Sequence, residues 1–147
     1  MTAAEAEELF SKGIAAVDKG DTVFGMVCLE KLFAYGESPL LSSYFAVCLA
    51  REREEFGRAY ALLSGAQRVE PAEPVHYLNL GRVHLACGEK RQAIKVFRDG
   101  LLFRDDPRIR QELNRIGWRN PRVFSRLSRE HFLNRYLGII GSKLGFR

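Results

Sequence analysis

A period of 34 residues runs through most of this chain. Three blocks, 6–39, 40–73 and 74–107, align without a gap. One column holds Gly13, Val47 and Gly81. A turn column holds Gly20, Glu54 and Gly88, each followed by an acid, Asp21, Glu55 or Glu89. A small-residue column holds Gly25, Ala59 and Ala93. A large apolar column holds Leu29, Leu63 and Phe97, and the next holds Leu32, Ala66 and Gly100. Each block also ends near a proline, Pro39, Pro71 or Pro107. Apolar residues within a block recur at helical steps, so the repeating unit is a pair of amphipathic helices joined by a tight turn. The small residues have a packing reason. Gly81 inside a helix costs about 1 kcal/mol against alanine, and a close helix crossing offsets that cost.

Local signals place the helices in the same register. Thr2-x-x-Glu5 is a capping box ahead of Leu9, Phe10, Ile14 and Val17. Gly20 ends this helix, and Asp21 caps a second that runs to about Tyr35. Ser38-Pro39 starts a third helix, to Arg53, and Glu55–Val69 is a fourth. Glu73–Cys87 and Glu89–Phe103 complete the blocks. Asp106-Pro107 repeats the cap-and-proline start of a covering helix, 107–116, which Gly117 breaks. The middle block departs most. Val47 replaces a small residue, Ser43 a large one and Glu54 a glycine, and Tyr44 and Phe45 fall late for the aromatic position. A local shift or short loop is expected there.

In the third block, Tyr77, the pair Leu80-Gly81, then Ala93, Phe97 and Gly100 follow an order that resembles the tetratricopeptide repeat. The resemblance implies an all-α fold: a right-handed α-solenoid over 1–117 with a capping helix, whose first helices line a concave groove for a peptide or a partner's helix. Carried onto this sequence, the groove positions are Phe10, Ile14, Leu41, Tyr44, Phe45, Cys48, Leu78, Asn79 and Arg82. Tyr44 and Phe45 read equally as core residues displaced by the irregular middle block. One subgroup of the family clamps terminal carboxylates with Lys, Arg and Asn. Here Phe10 and Ile14 stand where that clamp needs Lys and Asn, so an amphipathic helix suits the groove better than a chaperone tail.

The net charge of +5 is unevenly spread. Residues 1–107 carry 13 Lys/Arg and 16 Asp/Glu, whereas 108–147 carry 10 and 2. The segment 118–147 reads as a basic linker followed by an amphipathic helix from Ser128 to about Leu144, with Arg119, Arg122, Arg126, Arg129, Arg135 and Lys143 as its cations. Three roles suit it: packing on the chain's own groove or a partner protein, lying on an anionic membrane surface, or meeting RNA. Protein packing is preferred. Gly138 and Gly141 weaken a free helix, the arginines are spread rather than clustered, and no lipidation or nucleic-acid motif is present.

Catalytic patterns are lacking. His76, His84 and His131 have no metal-ligand spacing, His84 reads as a packed residue, and no serine elbow or phosphate loop occurs. Glu52, Glu54 and Glu55 read as a solvated edge. Cys28, Cys48 and Cys87, without C-x-x-C spacing, read as small buried thiols of a reducing cytoplasm. Met1–Phe10 is acidic and has no charged-then-apolar leader. The sequence thus predicts a cytoplasmic, non-catalytic binding scaffold without metal or cofactor.

Overall fold

A computed structural model describes residues 1–118. They form seven α-helices and no strand: α1 (Ala3–Asp18), α2 (Thr22–Phe33), α3 (Pro39–Arg53), α4 (Phe56–Val69), α5 (Pro74–Ala86), α6 (Lys90–Phe103) and α7 (Pro107–Arg115). The helix expected over Ser128–Leu144, with its basic residues, lies outside the described part.

The helix ends follow from side-chain caps. Thr2 N–H donates to Glu5 Oε2 at 2.8 Å, and Glu5 N–H donates back to Thr2 Oγ1 at 3.2 Å. Asp21 accepts from Phe24 N–H at 3.1 Å, and Ser38 from Leu41 N–H at 3.2 Å. Asp106 accepts from Arg108 N–H at 2.9 Å, opening α7. Each of these bonds satisfies a backbone donor that a helix start leaves free. α2 stops at Phe33, two residues short of the expected end.

Links of two or three residues fold α1 onto α2, α3 onto α4 and α5 onto α6, and the members of each pair pack together. The second helices begin at residues 22, 56 and 90. A left-handed residue precedes each of them at the same place: Gly20 (φ 91°), Glu54 (φ 53°) and Gly88 (φ 81°). Glu54 is the one described non-glycine residue with positive φ. The tight reversal demands that conformation, although a side chain with a Cβ adopts it at a cost of about 1–2 kcal/mol. The middle turn differs by one residue, as its altered sequence led one to expect. Asp21 and Glu89 N–H reach back to Ala16 and His84, five residues earlier, whereas Glu55 N–H reaches Leu49, six earlier.

α3 is the centre of the packing. Leu41 through Ala50 are all buried, and α1, α2, α4 and α5 all pack against this helix. A helix enclosed on every side needs no polar face. Its apolar residues join Val17, Met26, Leu29, Ala59, Leu63 and Val83 in one core, with Phe10 and Ile14 of α1 packed at the edge. Close crossings explain three glycines. A Cβ on Gly13 would lie 2.7 Å from Leu29 Cδ2, one on Gly25 2.6 Å from Val17 Cγ2, and one on Gly81 2.1 Å from Phe97 Cε1.

Met1–Gln111 forms one compact unit, and residues from Glu112 belong to a second. In the first, Ile109 is fully buried and its Cδ1 approaches Gly100. In the second, Glu112 pairs with Arg115, and Gly117 (φ 79°) ends the helix while Trp118 N–H donates to Leu113 O at 3.1 Å. Among the described residues no helix is long and apolar enough to cross a membrane.

Candidate functional site

Seven of the nine positions expected to line a groove are buried within the chain: Leu41, Tyr44, Phe45, Cys48, Leu78, Asn79 and Arg82. Tyr44 and Phe45 are 1% and 2% exposed, which leaves almost no side-chain area for a partner. Of the two readings open for them, groove and core, they fill the core one. Phe45 stacks 4.9 Å from Phe33 of α2 and lies under the Arg58 guanidinium of α4, at 5.7 Å. Cys48 is enclosed, and burial pushes its thiol up to about 12. Phe10 and Ile14 retain partial exposure.

The polar members of the set converge on a network. Asn79 Nδ2 donates to Ser43 Oγ at 2.8 Å, and Arg82 Nη1 donates to Asn79 Oδ1 at 3.0 Å. The same Arg82 nitrogen meets Asp18 Oδ1 at 2.8 Å. Tyr44 O–H donates to the Asp18 carboxylate at 3.1 Å and accepts from Arg108 Nη1 at 2.7 Å. Arg108 reaches Asp18 Oδ2 at 3.5 Å and Asp106 Oδ2 at 3.0 Å. One point thus joins the last turn of α1, the middle of α3, α5 and the start of α7. Two arginines face two aspartates, so the network carries no net charge. Arg108 is its accessible edge, with 40% of its side chain exposed. Asp18 and Arg108 were not singled out from the sequence, which marked Asp106 only as a helix cap and Ser43 only as a departure from the repeat. Asp18 and Arg108 stand 90 residues apart in the chain, and no local pattern links them.

Burial, then the Asp18 charge, pushes the Tyr44 phenol up to about 12 against the pull of Arg108 and Arg82. Burial works to raise Asp106, but the hydrogen bonds and charge of Arg108 outweigh it and hold the carboxyl below its usual range. Burial likewise works against charge on Arg108, and the bonds to Asp106 overcome it, so its pKa rises. None of these shifts brings a group toward neutral pH, as proton-transfer chemistry would require.

An alkaline test follows from Tyr44. A raised folded-state pKa means that the unfolded chain releases this proton first. The stabilisation is therefore complete below about pH 10 and fades as pH rises through about 12. Denaturant midpoints should fall across that window by an amount equivalent to on the order of 2 kcal/mol. Tyr44→Phe should flatten this part of the profile.

A second group surrounds His84 on α5. Tyr60 O–H donates to Glu89 Oε1 at 2.8 Å, and His84 Nδ1 lies 3.0 Å from that hydroxyl and 3.2 Å from the carboxylate. The bonds from Tyr60 and then His84 hold the Glu89 carboxyl below its usual value, while burial and then Glu89 push Tyr60 up. Cys87 is exposed, contrary to the expected burial. Desolvation and then the Glu89 bond raise its pKa, which disfavours the reactive thiolate. His76 is fully buried, its Nε2 2.8 Å from Glu70 Oε1. Glu52, Glu54 and Glu55 are exposed, and Glu52 accepts from the Thr22 hydroxyl. No three His, Cys, Asp or Glu side chains among the described residues are grouped as metal ligands.

A groove of about 310 Å³ opens between the start of α3 and the second half of α4. Pro39, Ala61, Leu62, Ala66 and Val69 give it an apolar wall, with Glu37, Ser38 and Ser42 as polar lining. A Cβ on Gly65, in the same wall, would meet nothing within 4 Å. No family model, curated protein or solved structure matches this chain.

Proposed function

We propose that the chain is a non-catalytic protein-interaction scaffold built as a three-repeat array of the tetratricopeptide type. The observation that carries this reading is the backbone recurrence: second helices beginning at 22, 56 and 90, each after a left-handed residue at 20, 54 or 88. A unit repeated at fixed spacing presents equivalent surfaces side by side, which suits an extended or helical segment. Two accessible places would receive it: the α1 face that holds Phe10 and Ile14, and the groove beside Gly65. The internally paired network at Asp18, Tyr44, Arg82 and Arg108 supports a positioning role, because it ties four helices together.

Peptide display against the whole chain tests the reading. It should select amphipathic helical or extended segments that bind with Kd below about 100 µM. The Phe10→Ala/Ile14→Ala variant, or Ala61→Trp in the groove, should weaken that binding at least tenfold with circular dichroism unchanged. A different result would replace this reading: no selected peptide, together with salt-dependent binding to anionic vesicles or RNA that disappears on removal of residues 119–147.

A further inference from the structure

α2 carries large apolar side chains on both of its sides. Gly25, Met26, Cys28 and Leu29 are buried, while Val23, Phe24 and Val27 are 62%, 46% and 50% exposed. At 100° per residue, Val23, Val27 and Lys31 form one lane opposite the buried line, and Phe24 adjoins Val27 across i, i+3. A helix that is apolar all round belongs in an interior, yet this face lies open. Its polar residues are few. Glu30 is held by Arg53 of α3 at 3.1 Å, leaving Asp21 at the N-terminal end and Lys31 near the C-terminal end as the charges that bracket the apolar lane.

That charge order selects the occupant. We propose that a second copy of the chain covers this face, α2 lying antiparallel against its equivalent about a two-fold axis. The axis would pass between Gly25 and Met26 along the helix, setting Phe24 of each protomer against Val27 of the other. The same register brings Lys31 of each protomer beside Asp21 of its partner, and symmetry makes both contacts twice. A parallel pairing would set lysine beside lysine. A membrane surface would favour cations flanking the apolar lane, whereas here an aspartate stands at one end. The interface is independent of the peptide-binding reading, because it uses neither Phe10 and Ile14 nor the groove beside Gly65.

Sedimentation equilibrium of the full chain, from about 1 to about 300 µM, tests it. A reversible dimer with Kd in the tens of micromolar is expected, as befits a small interface. Val27→Glu should raise Kd at least tenfold while helicity is retained, since Val27 is exposed in the monomer. Lys31→Glu should weaken association several-fold at low salt, and this difference from the parent should shrink at high salt. A chain that stays monomeric throughout, or a dimer indifferent to Val27→Glu, overturns the proposal. So does a monomer that binds anionic vesicles through this face, with binding lost in Val27→Glu.

Discussion

Replacing Gly81 with alanine should destabilise the chain by about 1–2 kcal/mol, although alanine is the better helix former by about 1 kcal/mol. The added Cβ would lie 2.1, 2.5 and 2.6 Å from Cε1, Cδ1 and Cζ of Phe97. Phe97 is fully buried and Gly81 sits in the neighbouring helix of the same pair, so the ring edge can clear the methyl only by moving α5 away from α6 or leaving its rotamer. Overpacking of this kind outweighs helix propensity. Gly65→Ala is the matched control. It is the same substitution inside a helix, but nothing lies within 4 Å of the new Cβ, so it should stabilise by about 1 kcal/mol. The pair at the corresponding place in the middle unit is Val47 and Leu63, both fully buried. The double variant Gly81→Val/Phe97→Leu copies that pair. It should therefore be much less destabilised than the two single changes summed. Urea midpoints for these variants measure the series. A Gly81→Ala chain as stable as the parent would mean that the crossing is looser than these distances describe.

The same crossing illustrates what the sequence exposes. Helix starts and stops were legible because short-range chemistry writes them: Thr2, Asp21, Ser38 and Asp106 cap the residues just after them, and Gly20 and Gly88 take the left-handed turns. Even Glu54 was legible as a misplaced side chain in a glycine column, although the backbone imposed the glycine-like conformation on it anyway. The enclosure of α3 was not legible. It arises because four other helices close around Leu41–Ala50, and a one-dimensional pattern carries no record of how many neighbours a helix will have. Tyr44 and Phe45, which the sequence left equally open between groove and core, illustrate the loss. Neighbours on a helix point about 100° apart, and here Phe45 goes to the aromatic contact with Phe33 while Tyr44 goes to Asp18 and Arg108. Arg82 was marked as a residue of interest from its position, but its partner Asp18 lies 64 residues earlier and nothing local announces it.

Removing Arg82 should be the most damaging polar change in the described part of the molecule. Its side chain is 3% exposed, and it donates to both Asp18 and Asn79. Arg82→Met keeps much of the aliphatic volume and deletes the charge. Breaking a buried pair by removing one partner typically costs about 3–5 kcal/mol, because the other charge is left without compensation. Asp18 is 24% exposed and Arg108 stands 3.5 Å away, so water and the second arginine will soften the loss to about 2–4 kcal/mol. The order among variants carries the argument. Asp18→Asn combined with Arg82→Met removes the stranded carboxylate and should recover part of that loss, giving a favourable coupling on a double-mutant cycle. Arg82→Lys keeps the charge but cannot bridge Asp18 and Asn79 through a planar guanidinium, and should fall between parent and Arg82→Met. If Arg82 served mainly to orient a bound partner, Arg82→Met would lower peptide affinity and leave urea midpoints unchanged. A joint, proportionate loss of stability and of binding would place its role in holding α1 and α5 together, with any effect on a partner transmitted through that framework.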